Sequence, residues 1–252
     1  MSPVAIICIS GGVESTTVAY MVAKNLEFDK IFGITTDYDH RARLEEKLCI
    51  DYLGKKLDFP ITEVKIPWLK RISGSFLTDP DRPIPSVTDE ELDSTTSAIE
   101  RMKWWWVPSR NVLIAIIASA FAEHEILSNP GTDVEIFLGI RREEPVPMPD
   151  NTPEFVEALN NLLKTSALPT FFEEGSIYVS APLITQTKPE IIKIGTELGV
   201  KWEYTYSCYA GNKGVLQNGL PVHCGLCSNC LRRKRAFKDA GIPDPSIYLN
   251  ST

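Results

Sequence analysis

The chain has 252 residues, 43% of them apolar, 23% charged and 9% aromatic, a composition that can bury a core and excludes a disordered chain. Thirty-three acidic residues against 26 basic ones leave a net charge of −7, which argues against wholesale binding of duplex nucleic acid while leaving room for a local basic stripe that holds a phosphate. No apolar run approaches the ~20 residues of a membrane span and the N-terminus lacks the basic region of a secretory signal, so the expected compartment is the cytoplasm.

Val4 to Ile9 (VAIICI) is an unbroken apolar run that stops at Ser10-Gly11-Gly12, the pattern of a buried parallel strand entering a glycine turn. Val13 to Asn25 carries Val18, Met21 and Val22 at helical spacing, and Ile31 to Thr36 reads as a second strand ending at Asp37. Leu44 to Leu57 is the next helix and Ile61 to Ile66 the third strand. This alternation predicts an α/β fold with a doubly wound parallel sheet. From Trp68 to Trp106 the periodicity fails at Pro80, Pro83, Pro85 and the acidic run Asp89 to Asp93, which predicts a long irregular insertion, of a length that is usually either functional or disordered. Asn111 to His124 predicts a buried helix and Val134 to Ile140 a strand, followed by a second irregular loop. Pro153 to Lys164 is an amphipathic helix, Ile177 to Ser180 a short strand, and Pro189 to Leu198 a helix closed by Gly199. The expected organisation is a main domain over 1–206 and a cysteine-rich module with a C-terminal helix over 207–252.

Ser10 to Thr17 sits between the first strand and the first helix, where ligands bind outside the carboxyl ends of a parallel sheet. The loop N–H groups, the hydroxyls of Ser10, Ser15 and Thr16, and the positive end of the helix dipole make a site for phosphate or pyrophosphate. The same residues also suit a tight turn with hydroxyl caps, and the glycine pair alone does not choose between the two. The loop is neither the Gly-Lys-Ser/Thr phosphate loop nor the GxGxxG of a dinucleotide site.

Four of the six cysteines fall between 208 and 230. Cys224, Cys227 and Cys230 stand at two successive CxxC spacings, and Cys208 supplies a fourth thiolate, the donor set of a closed, structural zinc site. Two disulfides or iron–sulfur ligation compete with that reading, and His223 is an alternative ligand. Cys8 and Cys49 read as small core residues. Arg110 opens the buried helix, either to hold a phosphate or carboxylate in its planar fork or as a solvated helix-start residue. Lys188 stands ready to neutralise a leaving pyrophosphate. Asp37-Tyr38-Asp39-His40-Arg41 follows the second strand at the sheet edge that carries Ser10. Either of these last two features also suits a plain surface. Trp104-Trp105-Trp106 cannot all be core, so at least one is expected to face a cleft or close a lid.

Together these residues resemble the PP-loop ATP pyrophosphatases and, within them, the 7-cyano-7-deazaguanine synthase (QueC) family. The likeness covers ISGGVESTTVA (Ile9 to Ala19), TDYDHRAR (Thr36 to Arg43), VPSRN (Val107 to Asn111), PEFVEALN (Pro153 to Asn160), Lys188 with Glu190, SCYAG (Ser207 to Gly211), CGLCSNCLRR (Cys224 to Arg233) and DPSIY (Asp244 to Tyr248). It implies that ATP lies over Ile9, Ser10, Gly11, Gly12, Val13, Glu14, Ser15, Thr16 and Thr17, with Asp37 nearby and magnesium as its companion. Ser10, Arg110 and Lys188 are then catalytic, and Tyr38, Arg41, Trp106, Arg141 and Asp150 are on the substrate side. The implied reaction activates 7-carboxy-7-deazaguanine as an acyl-adenylate. Ammonia displaces AMP to give the amide, and a second ATP-dependent round dehydrates the amide to the nitrile, preQ0. The resemblance further implies a structural zinc on Cys208, Cys224, Cys227 and Cys230, and a homodimer.

Two departures stand out. The family loop reads SGGxDS, whereas Glu14 replaces the aspartate here, which moves a contact by about 1.5 Å. After Gly139 the family carries an SGYPDC-like loop, of which this chain keeps only Pro149-Asp150, with Asn151 in the place of the cysteine. The altered loop at 140–151 raises a second expectation, a QueC-like ligase that joins the activated deazaguanine to a protein amine in antiviral defence. A tRNA-thiolating enzyme would need a catalytic cysteine and a basic surface, for which only Arg232-Arg233-Lys234-Arg235 offers a run. A zinc ribbon that binds nucleic acid beside a degenerate domain is the non-enzymatic reading.

Overall fold

The computed structural model describes residues 3–25, 27–141 and 146–249. Five parallel strands, β1 (Val4–Cys8), β2 (Lys30–Asp37), β3 (Ile61–Lys65), β4 (Asp133–Leu138) and β5 (Ser176–Ser180), form one sheet in the order β3-β2-β1-β4-β5. The chain builds outward from β1 to β3 and then returns to place β4 on the other flank of β1. That reversal opens a crevice outside the carboxyl ends of β1 and β4.

Alternating residues of β1 feed two cores, as expected for a strand buried on both faces. Ala5 and Ile7, with Ile9 just beyond the strand, pack with α1 (Val13–Ala23), α2 (Arg43–Leu57) and α9 (Lys188–Glu197). Val4, Ile6 and Cys8 pack with α6 (Arg110–Ser128) and α7 (Pro153–Ser166). The α/β doubly wound parallel sheet expected from the sequence is therefore the one found. Along α6, Ala115, Ala118, Ala122 and Ile126 lie on one stripe and are fully buried, the small side chains letting the helix sit close to the sheet. By length and composition alone this 19-residue helix is long and apolar enough to cross a membrane, a test that a core helix also passes, and here its stripe packs with the strands.

The 68–106 stretch is irregular only in part: residues 73–88 hold no helix or strand, while most of the rest is helical. It folds into α3 (Trp68–Ile72), α4 (Asp89–Asp93) and α5 (Thr95–Trp105). A capping box between Thr88 and Glu91 starts α4, and the Ser94 side chain caps α5, so hydroxyls satisfy first-turn N–H groups that would otherwise be left open. Ala98, Arg101 and Trp105 are its buried face. Also unforeseen are a short helix, α8 (Leu168–Phe171), and a small sheet of β6 (Leu216–Gln217), β7 (Leu220–His223) and β8 (Ile247–Tyr248). The last helix, α10 (Ser228–Ala240), sends Ala236 and Phe237 into the core shared with α1 and α9.

One close approach positions the crevice. A Cβ on Gly139, just past β4, would lie 2.5 Å from Ser15 Cα and 2.7 Å from Ser15 N, backbone atoms that cannot yield. Gly139→Ala is expected to push β4 and the first turn of α1 apart and to cost about 1–3 kcal/mol, as overpacking does. Thermal unfolding together with ATP titration measures both effects.

Candidate active site

A cavity of about 280 Å³ opens at the crevice. Ile9, Ser10, Gly12, Glu14 and Ser15 line its floor. Gly11 takes φ +72°, and a Cβ there would meet the Glu46 carbonyl oxygen at 3.0 Å, so the turn requires glycine. Ser15 Oγ accepts the Ser10 N–H at 3.1 Å and lies 3.1 Å from Ser10 Oγ. Gly12 is the N-cap of α1, and no side chain caps that helix. The serines thus brace the loop, and the helix start keeps its positive end for a ligand. The turn with hydroxyl caps is not the arrangement adopted.

Not every residue of the expected ATP set reaches the cavity. Gly11, Val13, Thr16 and Thr17 do not line it. Val13 and Thr17 are fully buried, Thr16 is nearly so, and the Thr17 hydroxyl donates to the Val13 carbonyl at 2.9 Å. The turn of α1 rotates these side chains onto the sheet and leaves Glu14 and Ser15 facing the opening. Asp37 is also off the wall; its Oδ1 accepts the Asp39 N–H at 2.8 Å, and Oδ2 lies 3.8 Å from Arg43.

Three segments bring a charged cluster together above the floor. Glu14 Oε1 lies 3.0 Å from Lys188 Nζ and 3.1 Å from Arg141 Nε. All three side chains are largely buried. Burial pushes the Glu14 carboxyl up, but Lys188 and Arg141 outweigh it and hold it at about 2. Against an ordinary value near 4.5, that shift stabilises the fold by about 3 kcal/mol. The contribution is complete above pH ~4.5 and is lost as pH falls through ~2. Glu14→Gln is therefore expected to be less stable than the parent at neutral pH by about that amount, with the gap closing towards pH 2 in denaturant titrations.

On the opposite wall Arg110, half-buried at the start of α6, donates a hydrogen bond to the Tyr38 hydroxyl. Burial pushes the Tyr38 hydroxyl up, and the guanidinium offsets this only in part. Burial also raises the Asp150 carboxyl against the pull of Arg110. Asp150 faces Arg110 and is not on the cavity wall, whereas its neighbours Met148 and Asn151 are. Asn151 Oδ1 accepts from Asn111 Nδ2 at 3.2 Å, which ties the altered loop to α6. Residues 142–145 of that loop lie outside the described residues.

Two further residues expected on the substrate side lie off this wall. Trp105, the last residue of α5, lines the cavity and packs on Tyr209 at 4.5 Å. Trp106 does not line it, because the chain leaves the helix there in an extended conformation. Arg41 points away: Nε donates to the Ala210 carbonyl at 3.0 Å and Nη1 to the Arg82 carbonyl at 2.6 Å, so it clamps two loops together. The sequence reading missed Glu46, Tyr206, Tyr209 and Asn229, all on the wall. SCYAG contains Tyr209 and CGLCSNCLRR contains Asn229, but in both motifs the cysteines are the signal.

The sulfurs of Cys208, Cys224, Cys227 and Cys230 lie within 4.8 Å of one another, with Cys224 and Cys230 3.9 Å apart. A tetrahedral ion with Zn–S near 2.3 Å needs sulfurs about 3.8 Å apart, so the cage fits zinc. Backbone N–H groups of Ala210 and Cys224 donate to Cys208 Sγ, and those of Leu226 and Cys227 to Cys224 Sγ, at 3.3–3.4 Å, which favours the thiolates. All four are free thiols, so the disulfide reading is not adopted. His223 is no ligand; its Nε2 accepts the Ser207 N–H at 3.2 Å, and burial, helped by Arg233, depresses its pKa to about 3.

The basic run is consumed internally. Arg233 is fully buried and donates to Thr205, Ser207 and the Trp202 carbonyl, with Asp244 at 3.4 Å. Arg235 pairs with Asp89 and Asp93. Lys234 reaches the Gly225 carbonyl and lies over the Tyr248 ring.

The family model of queuosine biosynthesis protein QueC matches residues 4–241. A 7-cyano-7-deazaguanine synthase of Methanobrevibacter smithii is 36% identical over 248 residues, covering 98% of this chain and 99% of its own. One from Methanocaldococcus jannaschii is 40% identical over 251 residues, covering 97% and 99%. The solved U34-tRNA thiolase NcsA from Methanococcus maripaludis, with its 4Fe-4S cluster, superposes at a TM-score of 0.41 and 12% identity, covering 95% of this chain and 67% of that one. With the family model spanning nearly the whole chain, and relatives of this similarity along its length, the chain belongs to the QueC family.

Proposed function

We propose that the chain uses ATP to activate the carboxylate of 7-carboxy-7-deazaguanine as an acyl-adenylate, that ammonia displaces AMP to give the amide, and that a second ATP-dependent round yields the nitrile. The observation that carries this reading is the juxtaposition, across one cavity, of an uncapped helix start behind a glycine loop with the Glu14–Lys188–Arg141 cluster and with Arg110. A carboxylate is a poor electrophile because oxide would have to leave; joining it to AMP supplies a good leaving group. The protein then needs mainly positioning and charge neutralisation. The loop amides and Ser10 would hold phosphate oxygens, and Lys188 and Arg141 the charge on departing pyrophosphate. Arg110 would hold the carboxylate that reacts.

Magnesium, when bound with ATP, would supply further neutralisation of the phosphates; Glu14 beside the loop is already paired with Lys188 and Arg141, so no role in holding the ion is assigned to it. Zinc on Cys208, Cys224, Cys227 and Cys230 would be structural, leaving no open position. The shared synthase name of the relatives favours ammonia over a protein amine as acceptor. The test is exchange of labelled pyrophosphate into ATP, which should require 7-carboxy-7-deazaguanine. Exchange that ignores this compound would overturn the assignment.

A further inference from the structure

Aminolysis of an acyl-adenylate needs an uncharged nitrogen, whereas ammonia in neutral water is mostly ammonium, and the nitrogen that has attacked carries a surplus proton. The residues on phosphate charge cannot take it. Lys188 and Arg141 are cations, and Glu14, held at about 2, is too weak a base. Tyr38 is hydrogen-bonded to Arg110.

His40 differs from all of these. It is 6% exposed and lines the cavity. Its Nε2 lies 2.7 Å from Glu46 Oε2, and its ring stacks on Tyr38 at 4.3 Å and 21°. Tyr38 is itself held by Arg110, so the imidazole is fixed on two sides. A carboxylate that accepts the Nε2–H selects the tautomer with its lone pair on Nδ1. That Nδ1 is buried and has no hydrogen-bond partner among the described residues. A buried ring nitrogen left unpaired costs free energy unless a ligand completes it. An imidazole oriented by a carboxylate, with its far nitrogen unengaged, is the arrangement of a general base.

We propose that His40, oriented by Glu46, is the proton acceptor for the amine that attacks the activated carboxylate. This assignment rests on the function proposed above. In the step, the carbon–nitrogen bond forms and the carbon–oxygen bond to AMP breaks, its electron pair leaving on the AMP oxygen. One nitrogen-bound proton passes to His40 Nδ1, the imidazolium is stabilised opposite Glu46, and the proton is later released to water. Glu46 is a positioning residue.

The test separates two half-reactions in His40→Gln and His40→Ala. Amide formation with ammonium, followed by mass spectrometry, should fall about 100-fold or more, while pyrophosphate exchange falls no more than several-fold. Added imidazole should restore part of the amide formation in His40→Ala. Glu46→Gln should lower kcat for the amide step about tenfold or more with little change in the KM for ammonium. Amide formation at the parental rate in His40→Gln would remove His40 from the mechanism and leave the proposed function standing. Equal loss of both half-reactions, without imidazole rescue, would overturn the base role in favour of a structural one. Absence of exchange in the parent protein would overturn the proposed function and this assignment with it.

Discussion

Lys188→Met is expected to lower the pyrophosphate exchange rate about 10²–10³-fold, the range seen when a preorganised charge-stabilising group is removed, while leaving the protein folded. Lys188 opens α9, where the helix dipole adds its own positive potential, and the capping box between Thr187 and Glu190 fixes the direction of the first turn. The ammonium is largely buried beside Glu14, so its charge acts through little water and is worth more there than on a surface. Arg141 remains to pair Glu14 in the variant, so the chain should stay folded with a lowered melting temperature, because Lys188 supplies the larger part of the pull on Glu14, and the loss of turnover should exceed what that destabilisation explains. Exchange kinetics beside a thermal melt separate the two. A variant with unaltered exchange would mean that the cluster is a structural knot and not the pyrophosphate-facing group.

Cys227→Ser is expected to remove bound zinc and lower stability on the order of 5 kcal/mol, since metal binding in such cages is folding free energy. The consequence should extend beyond the module. Cys227 and Cys230 share a buried cluster with Ala42, Cys49, Tyr206 and Cys208, and Tyr206, Ser207, Cys208 and Tyr209 form part of the cavity wall. The Tyr206 N–H donates to the Gly11 carbonyl at 2.8 Å, so the metal site braces the glycine loop from behind. Zinc content, unfolding midpoint and exchange rate should therefore fall together. A protein that loses zinc and keeps its full stability would contradict the structural role.

The parallel sheet was legible because β1 is a pure apolar run ending in glycines, and because strand and helix periods alternate up to Lys65. Three thiols at CxxC spacing, with Cys208 as a fourth, were legible because metal geometry restricts spacing tightly. The helices within 68–106 were not, since two of them have five residues and α5 has 11, with Pro80, Pro83 and Pro85 masking the pattern. Yet Thr88 and Glu91 did carry a capping-box signal. The site was legible at its floor and less so at its walls. Which tryptophan faces the cavity depends on where α5 stops, and no period marks that residue. Arg41 read as a ligand group because its carbonyl partners, at Arg82 and Ala210, are far away in sequence. The pairing of His40 with Glu46 depends on a turn through Asp39 at φ +57°, which no spacing rule announces. The basic run at 232–235 looked like a surface until Asp89, Asp93 and Asp244 were found against it.

The measurement that bears most directly on the central claim is product identification. The purified protein would be incubated with ATP, magnesium and 7-carboxy-7-deazaguanine, with and without ammonium, and both small-molecule and protein fractions weighed by mass spectrometry. Ammonium-dependent amide and nitrile, with AMP and pyrophosphate released, is the predicted result. Consumption of ATP with no amide or nitrile, or a deazaguanine mass added to a polypeptide in their place, would contradict it.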